Sequence, residues 1–222
     1  MFYNNFLMNN FNLVLLAGLL IWSSYSFIGF AVVGPLTASA FTCLQSSMSG
    51  LVPYAIIRVY QNSHSLPGID MYAIQTIANA YTAGYSSDVY MEICRGIDSA
   101  SQINLVNTEI LTPMFDSFHS DWFVYIKVEP SVNPDCSWEN YSQLDNCNYL
   151  KEAVSNVRNL VDWSAAVFST APVWAQFFGS SCDTFAADTH PSLWYADYNI
   201  KGNVNSSQSF DDFVSFGGWT SD

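Results

Sequence analysis

The chain has 222 residues, half of them hydrophobic and 16% aromatic, with 11% charged, a composition that excludes a disordered chain and supplies one domain with a sizeable core. Six basic residues against nineteen acidic ones give a formal charge of −13, which argues against a nucleic-acid backbone or an anionic membrane surface as partner. The acidity suits solubility or an acidic compartment.

No charged side chain precedes Arg58. Residues 13–20 (LVLLAGLL) form an apolar core followed by small residues, the pattern of a signal peptide cleaved near Ser26 and leaving a domain over 27–222. The uncharged run 13–36 is also long enough to span a bilayer, so an N-terminal membrane anchor over 1–26 stands as the alternative. Both place the rest of the chain in the secretory lumen or outside. Five cysteines fit an oxidising compartment and leave one unpaired. Cys136 and Cys147 bracket a Ser/Asn/Asp-rich loop and are expected to form a local disulfide. Asn140 and Asn205 each open an N-x-S sequon in an expected loop.

From Phe30 the elements alternate. A strand over 30–33 precedes a helix near 39–48, then a strand 54–60 (YAIIRVY) and a helix 71–83 closed by Gly84. The strand 88–94 (DVYMEIC), a helix from Ser99 to about Phe118, and a central strand within 121–130 follow. A helix 149–162, a strand 165–169, a short helix 172–178 and a strand 192–198 (SLWYADY) complete the pattern. Strands alternating with helices imply parallel pairing with right-handed crossovers, an α/β barrel or open sheet with no second domain.

The central strand, WFVYIKV, is β-branched and aromatic and stops at Pro130. Tyr125, Lys127 and Glu129 face one way and Val124, Ile126 and Val128 the other. Two ionisable groups at the C-terminal end of an apolar strand sit where α/β barrels build active sites; a simple ion pair at the strand tip is the plain alternative. On the neighbouring strand Asp88, Tyr90 and Glu92 share one face, and the last strand carries Trp194 and Asp197. Carboxylates at strand ends with aromatic rings are the materials of sugar chemistry: a carboxylic acid protonates the leaving oxygen, a second group stabilises the cationic sugar, and rings such as Tyr90, Tyr125 and Trp194 stack on pyranose faces. The alternative for each ring is core packing. Other chemistries lack a signature: there is no G-x-G-x-x-G, P-loop or G-x-S-x-G, and the three histidines show neither H-x-H nor H-E-x-x-H spacing, so neither cofactor nor metal is expected.

The ordered series FAVVGPLTASAFTCL (30–44), YAIIRVYQ (54–61), DVYMEICRG (88–96), WFVYIKVEPS (122–131), LWYADY (193–198) and FGGWT (216–220) resembles the glycoside hydrolase family 25 lysozymes, in particular their secreted branch of nematodes, amoebae and ciliates. The resemblance implies a flattened, irregular TIM-like (β/α) barrel and a monomeric muramidase acting on bacterial peptidoglycan without cofactor. It assigns Glu129 as the general acid, with Asp88, Tyr90, Glu92, Tyr125, Trp194 and Asp197 in supporting or substrate-binding places. This sequence also departs from the family. Where members carry Asp-x-Glu, it has Lys127 before Glu129; where their first strand carries an aspartate, it has Ala31; and the family's last strand, with a further aspartate, would lie past Asp222, making the barrel incomplete at the C-terminus. A cation at Lys127 opposes the stabilisation of a developing positive charge. The departures imply a weakened or inactive enzyme, or a non-catalytic glycan-binding protein derived from a lysozyme.

Overall fold

The structure, a computed structural model, describes residues 3–6, 27–46, 52–62, 66–114, 122–160, 163–195 and 213–220. Its frame is one sheet built from β1 (Tyr3–Phe6), β2 (Phe27–Val32), β3 (Val52–Gln61), β4 (Gly68–Ile69), β5 (Ser86–Met91), β6 (Trp122–Lys127), β7 (Trp163–Ser169) and β8 (Ser192–Tyr195). The order is β1-β2-β3-β5-β6-β7-β8, with β4 paired antiparallel on β3. From β2 to β8 all neighbours are parallel, as the β/α alternation requires. β1 adds an antiparallel edge beside β2. Among the described residues no strand joins β8 back to β2, so the curled sheet is an incomplete TIM-like barrel.

Helices α1 (Ala38–Ser46), α2 (Ala73–Thr82), α3 (Ser99–Val106), α4 (Gln143–Arg158), α5 (Ala171–Phe177) and α6 (Phe185–Thr189) cover the outer face. Their starts follow from local chemistry. Asp98 accepts from the Ser101 N–H, Ser142 from Asp145 and Thr170 from Val173, each satisfying an end group the helix itself cannot. Gly84, at φ +80°, ends α2 in the left-handed conformation that a side chain would resist. The expected helix from Ser99 continues past Val106 through a π-helical turn, Asn107–Leu111. α4 begins six residues before the expected start, at the Ser142 cap.

Strand alternation divides the core in two. Ala55, Ile57, Val59, Val89, Met91, Val124, Ile126, Val128 and Val167 turn outward and are buried with Ile77, Leu150 and Val157 of the helices. Ile56, Tyr90, Tyr125, Ala166, Phe168 and Trp194 turn inward and form a second, smaller cluster.

The disulfides correct the sequence expectation. Cys136 pairs with Cys94, and Cys147 with Cys182. Cys147 lies inside α4, on the face toward the Gly179–Cys182 turn, whereas Cys136 sits in the loop after β6, against the loop after β5. Proximity in sequence lost to proximity of adjacent strand ends. Cys43 is a free, exposed thiol. Asn140 is exposed, its amide donating to the Pro134 carbonyl at 2.6 Å. The apolar run 13–20, Asn205 and Asp197 lie outside the described residues. Among the described residues no helix is long and apolar enough to cross a membrane.

Candidate active site

The inward positions climb the barrel in layers. In register, Ala31 lies beside Ile56 and Ile56 beside Asp88, one layer below those that follow. One step higher Arg58 pairs with Tyr90 and Tyr90 with Tyr125. Higher still, Lys127 lies level with Phe168, and Phe168 with Trp194. Glu92 follows β5 directly and Glu129 lies two residues past the end of β6, so the charged groups collect at the C-terminal ends of the strands.

There they form one chain of alternating sign. Asp70 Oδ2 contacts Arg58 Nε at 2.9 Å, Arg58 Nη1 contacts Glu92 Oε2 at 3.3 Å, and Glu92 Oε1 contacts Lys127 Nζ at 3.4 Å. Lys127 Nζ then reaches Glu129 Oε2 at 2.9 Å. Asp70 is 4% exposed and Glu129 29%, so the chain runs from the protein interior outward to solvent. Burial works against the charge on Arg58, yet Glu92 and the hydrogen bond to Asp70 hold its guanidinium above its ordinary range. The Lys127 ammonium also sits 5.5 Å from the Tyr90 ring centre and 5.7 Å from that of Phe168.

The loops bearing the two glutamates are fastened to each other. The Cys94–Cys136 disulfide joins them, and Arg95 N–H donates to the Cys136 carbonyl at 3.3 Å. The Arg95 guanidinium lies against the rings of Tyr141 and Tyr149, at 3.9 and 4.3 Å, and donates to Asn146 at 3.0 Å. Gly96 passes so close to the Asp135 carbonyl that a side chain there would collide with it.

Asp88 belongs to a different environment. It is 2% exposed, and its Oδ1 accepts the Phe123 N–H at 2.9 Å. Burial pushes its carboxyl up to about 7, against the opposing pull of the Tyr54 hydroxyl, the Phe123 N–H and the Tyr125 hydroxyl. Burial, with the Asp88 charge behind it, likewise raises the Tyr54 and Tyr125 hydroxyls well above the ordinary phenol range.

The rings also need correcting as a sugar-stacking surface. Tyr90, Tyr125 and Trp194 do share the inner face with the charged chain, but they are 1%, 0% and 2% exposed. They pack edge-on, Trp194 meeting Tyr125 at 5.3 Å, Tyr90 at 6.3 Å and Phe168 at 4.8 Å between ring centres. The tight curl of the sheet brings them together as filling, so they support the rim without offering a free face. Arg58 and Asp70 were not among the residues the sequence singled out; Asp70 lies in a turn, and only the pairing of β3 with β5 brings its partner Arg58 to Glu92. Among the described residues no three His, Cys, Asp or Glu side chains gather as a metal ligand set would.

The family model of Lysozyme-like protein 1 matches residues 23–222. A search of the curated proteins finds no match. Among solved structures, the muramidase from Acremonium alcalophilum superposes with a TM-score of 0.57 at 15% identity over 80% of each chain. The muramidase from Trichobolus zukalii gives a TM-score of 0.58 at 14% identity, covering 86% of this chain and 82% of its own. At these identities the two likenesses speak for the fold.

Proposed function

The chain belongs to the Lysozyme-like protein 1 family, and from that membership we propose that it is a secreted muramidase-like glycoside hydrolase acting on the glycan strands of bacterial peptidoglycan, with Glu129 as its general acid. The observation that carries this reading is the position of Glu129: a part-exposed carboxylate at the C-terminal end of a parallel strand, beside a second carboxylate, on a muramidase fold. The two disulfides suit the oxidising route that secretion implies.

Lys127 sets the rate. Its ammonium, paired at 2.9 Å with Glu129, occupies the approach to the general acid and opposes the positive charge that develops on the sugar. Hydrolysis is therefore slow. The same ion pair favours a second reading, a glycan-binding protein without turnover. Purified peptidoglycan incubated with the protein, with reducing ends identified by mass spectrometry, separates the two. The enzyme reading expects slow release that Glu129→Gln lowers by about a hundredfold, the ordinary worth of a general acid. Release that Glu129→Gln leaves intact would remove Glu129 from its role, and no release by the wild type at any pH would leave the binding protein.

A further inference from the structure

Hydrolysis of a glycoside needs an anion close to the carbon that becomes positive, as well as a proton donor. Lys127 cannot be that anion. Among the described residues, Glu92 is the carboxylate that shares the Lys127 ammonium with Glu129. Contacts of 3.4 and 2.9 Å to one nitrogen cap the separation of those two oxygens at about 6 Å, against the roughly 5–9.5 Å that separates the carboxyl pair of glycosidases. Glu92 comes from β5, not from β6, and it is held from behind. Arg58 grips its other oxygen at 3.3 Å, and Arg58 is itself fixed by Asp70 at 2.9 Å and Gln61 at 3.0 Å. The space filled by the ammonium is thus walled by two carboxylates and floored by the rings of Tyr90 and Phe168, a setting made for positive charge.

We propose that Glu92 is the second carboxylate of this site, that Arg58 and Asp70 are the positioning residues that aim it, and that the Lys127 ammonium occupies the place where positive charge develops on the sugar. The proposal rests on the glycosidase reading above. As the bond from the anomeric carbon to the leaving oxygen breaks, Glu129 gives its proton to that oxygen and the Glu92 carboxylate faces the resulting oxocarbenium ion. Water then adds to the carbon and returns a proton to Glu129. For a sugar to enter, the Lys127 side chain, 22% exposed, must swing its ammonium outward.

The test is calorimetric binding of a cationic iminosugar bearing a 2-acetamido group, measured near neutral pH beside an uncharged N-acetylglucosamine oligomer. Lys127→Met is expected to bind the cation at least about tenfold more tightly than wild type, roughly 1.4 kcal/mol. Adding Glu92→Gln, nearly the same shape, is expected to remove that gain and to weaken binding of the cation several-fold more than that of the uncharged oligomer. Adding Arg58→Met to Lys127→Met should lose part of the same gain and Arg58→Lys should restore some of it, a selectivity for charge that a merely structural residue would not govern. Melting curves confirm that each variant folds. The proposal is overturned if Lys127→Met gains nothing, or if Glu92→Gln leaves its cation affinity unchanged. Glu92-dependent cation binding in a protein that releases no reducing ends would sink the glycosidase reading alone, and leave the Glu92 site standing.

Discussion

Asp88 in β5 and Glu92 just past its end lie four residues apart on one face, about 13 Å at the usual rise, yet they meet opposite surroundings. Asp88, at the base of the barrel, is offered hydroxyls and a backbone N–H, and burial holds its carboxyl up to about 7. Glu92, at the rim, is offered two cations and 21% exposure. The same side-chain chemistry serves the interior in one place and forms part of an ionic site in the other. What separates the two is whether Arg58 and Lys127 are within reach, and the strand register decides that.

The base should break first and most visibly. Asp88 keeps its proton in the folded state up to about pH 7, but only to about 4 in the unfolded chain. Between those values the folded state binds the extra proton, so the contribution of Asp88 to stability is greatest below about pH 4, falls as the pH rises, and levels off above about pH 7. Asp88→Asn removes that dependence. Its denaturation curves should match wild type near pH 4 and exceed it at pH 8 by an amount on the order of a few kcal/mol. A difference between the two proteins that stays constant with pH would show that Asp88 is no more perturbed than an ordinary carboxylate.

The inner end of the rim comes next. Arg58→Met strands Asp70, which is 4% exposed, without its cation and should cost about 2–3 kcal/mol in chemical denaturation. A loss below about 0.5 kcal/mol would mean that water reaches Asp70 freely. The smallest effect belongs to a pair outside the barrel. Lys151 meets Asp188 at 2.7 Å, but both are well exposed, so Lys151→Met should move stability by less than about 1 kcal/mol. A cost as large as that of Arg58→Met would erase the distinction between rim and surface.

Much of this was legible from the chain alone. YAIIRVY and WFVYIKV state their two faces by alternation, and the outward Val124, Ile126 and Val128 against the inward Tyr125 and Lys127 follow directly. The parallel order of the central strands follows from the helices between them, and the incomplete TIM-like barrel from the resemblance. Three features were not legible, for physical reasons. Cys94 and Cys136 are brought together by adjacent strand ends 42 residues apart in sequence, and no local spacing announces that. An inward aromatic reads the same whether the barrel at that level is open or filled, so the burial of Tyr90, Tyr125 and Trp194 depended on curvature. The ionic chain needs the β3–β5–β6 register before Arg58, Glu92 and Lys127 become neighbours. The early start of α4, by contrast, had a signal in the Ser142 cap three residues before Asp145.

Whether Lys127 restrains a carboxylate site is tested most directly by the rate of peptidoglycan hydrolysis by wild type and Lys127→Asp, side by side at neutral pH. Replacing the ammonium by a carboxylate releases Glu129 from its ion pair and puts an anion in place of a cation where positive charge develops on the sugar. The variant is expected to be faster by at least about tenfold, equivalent to roughly 1.4 kcal/mol of barrier. A wild type that already hydrolyses through Glu129, with Lys127→Asp no faster, would contradict the account.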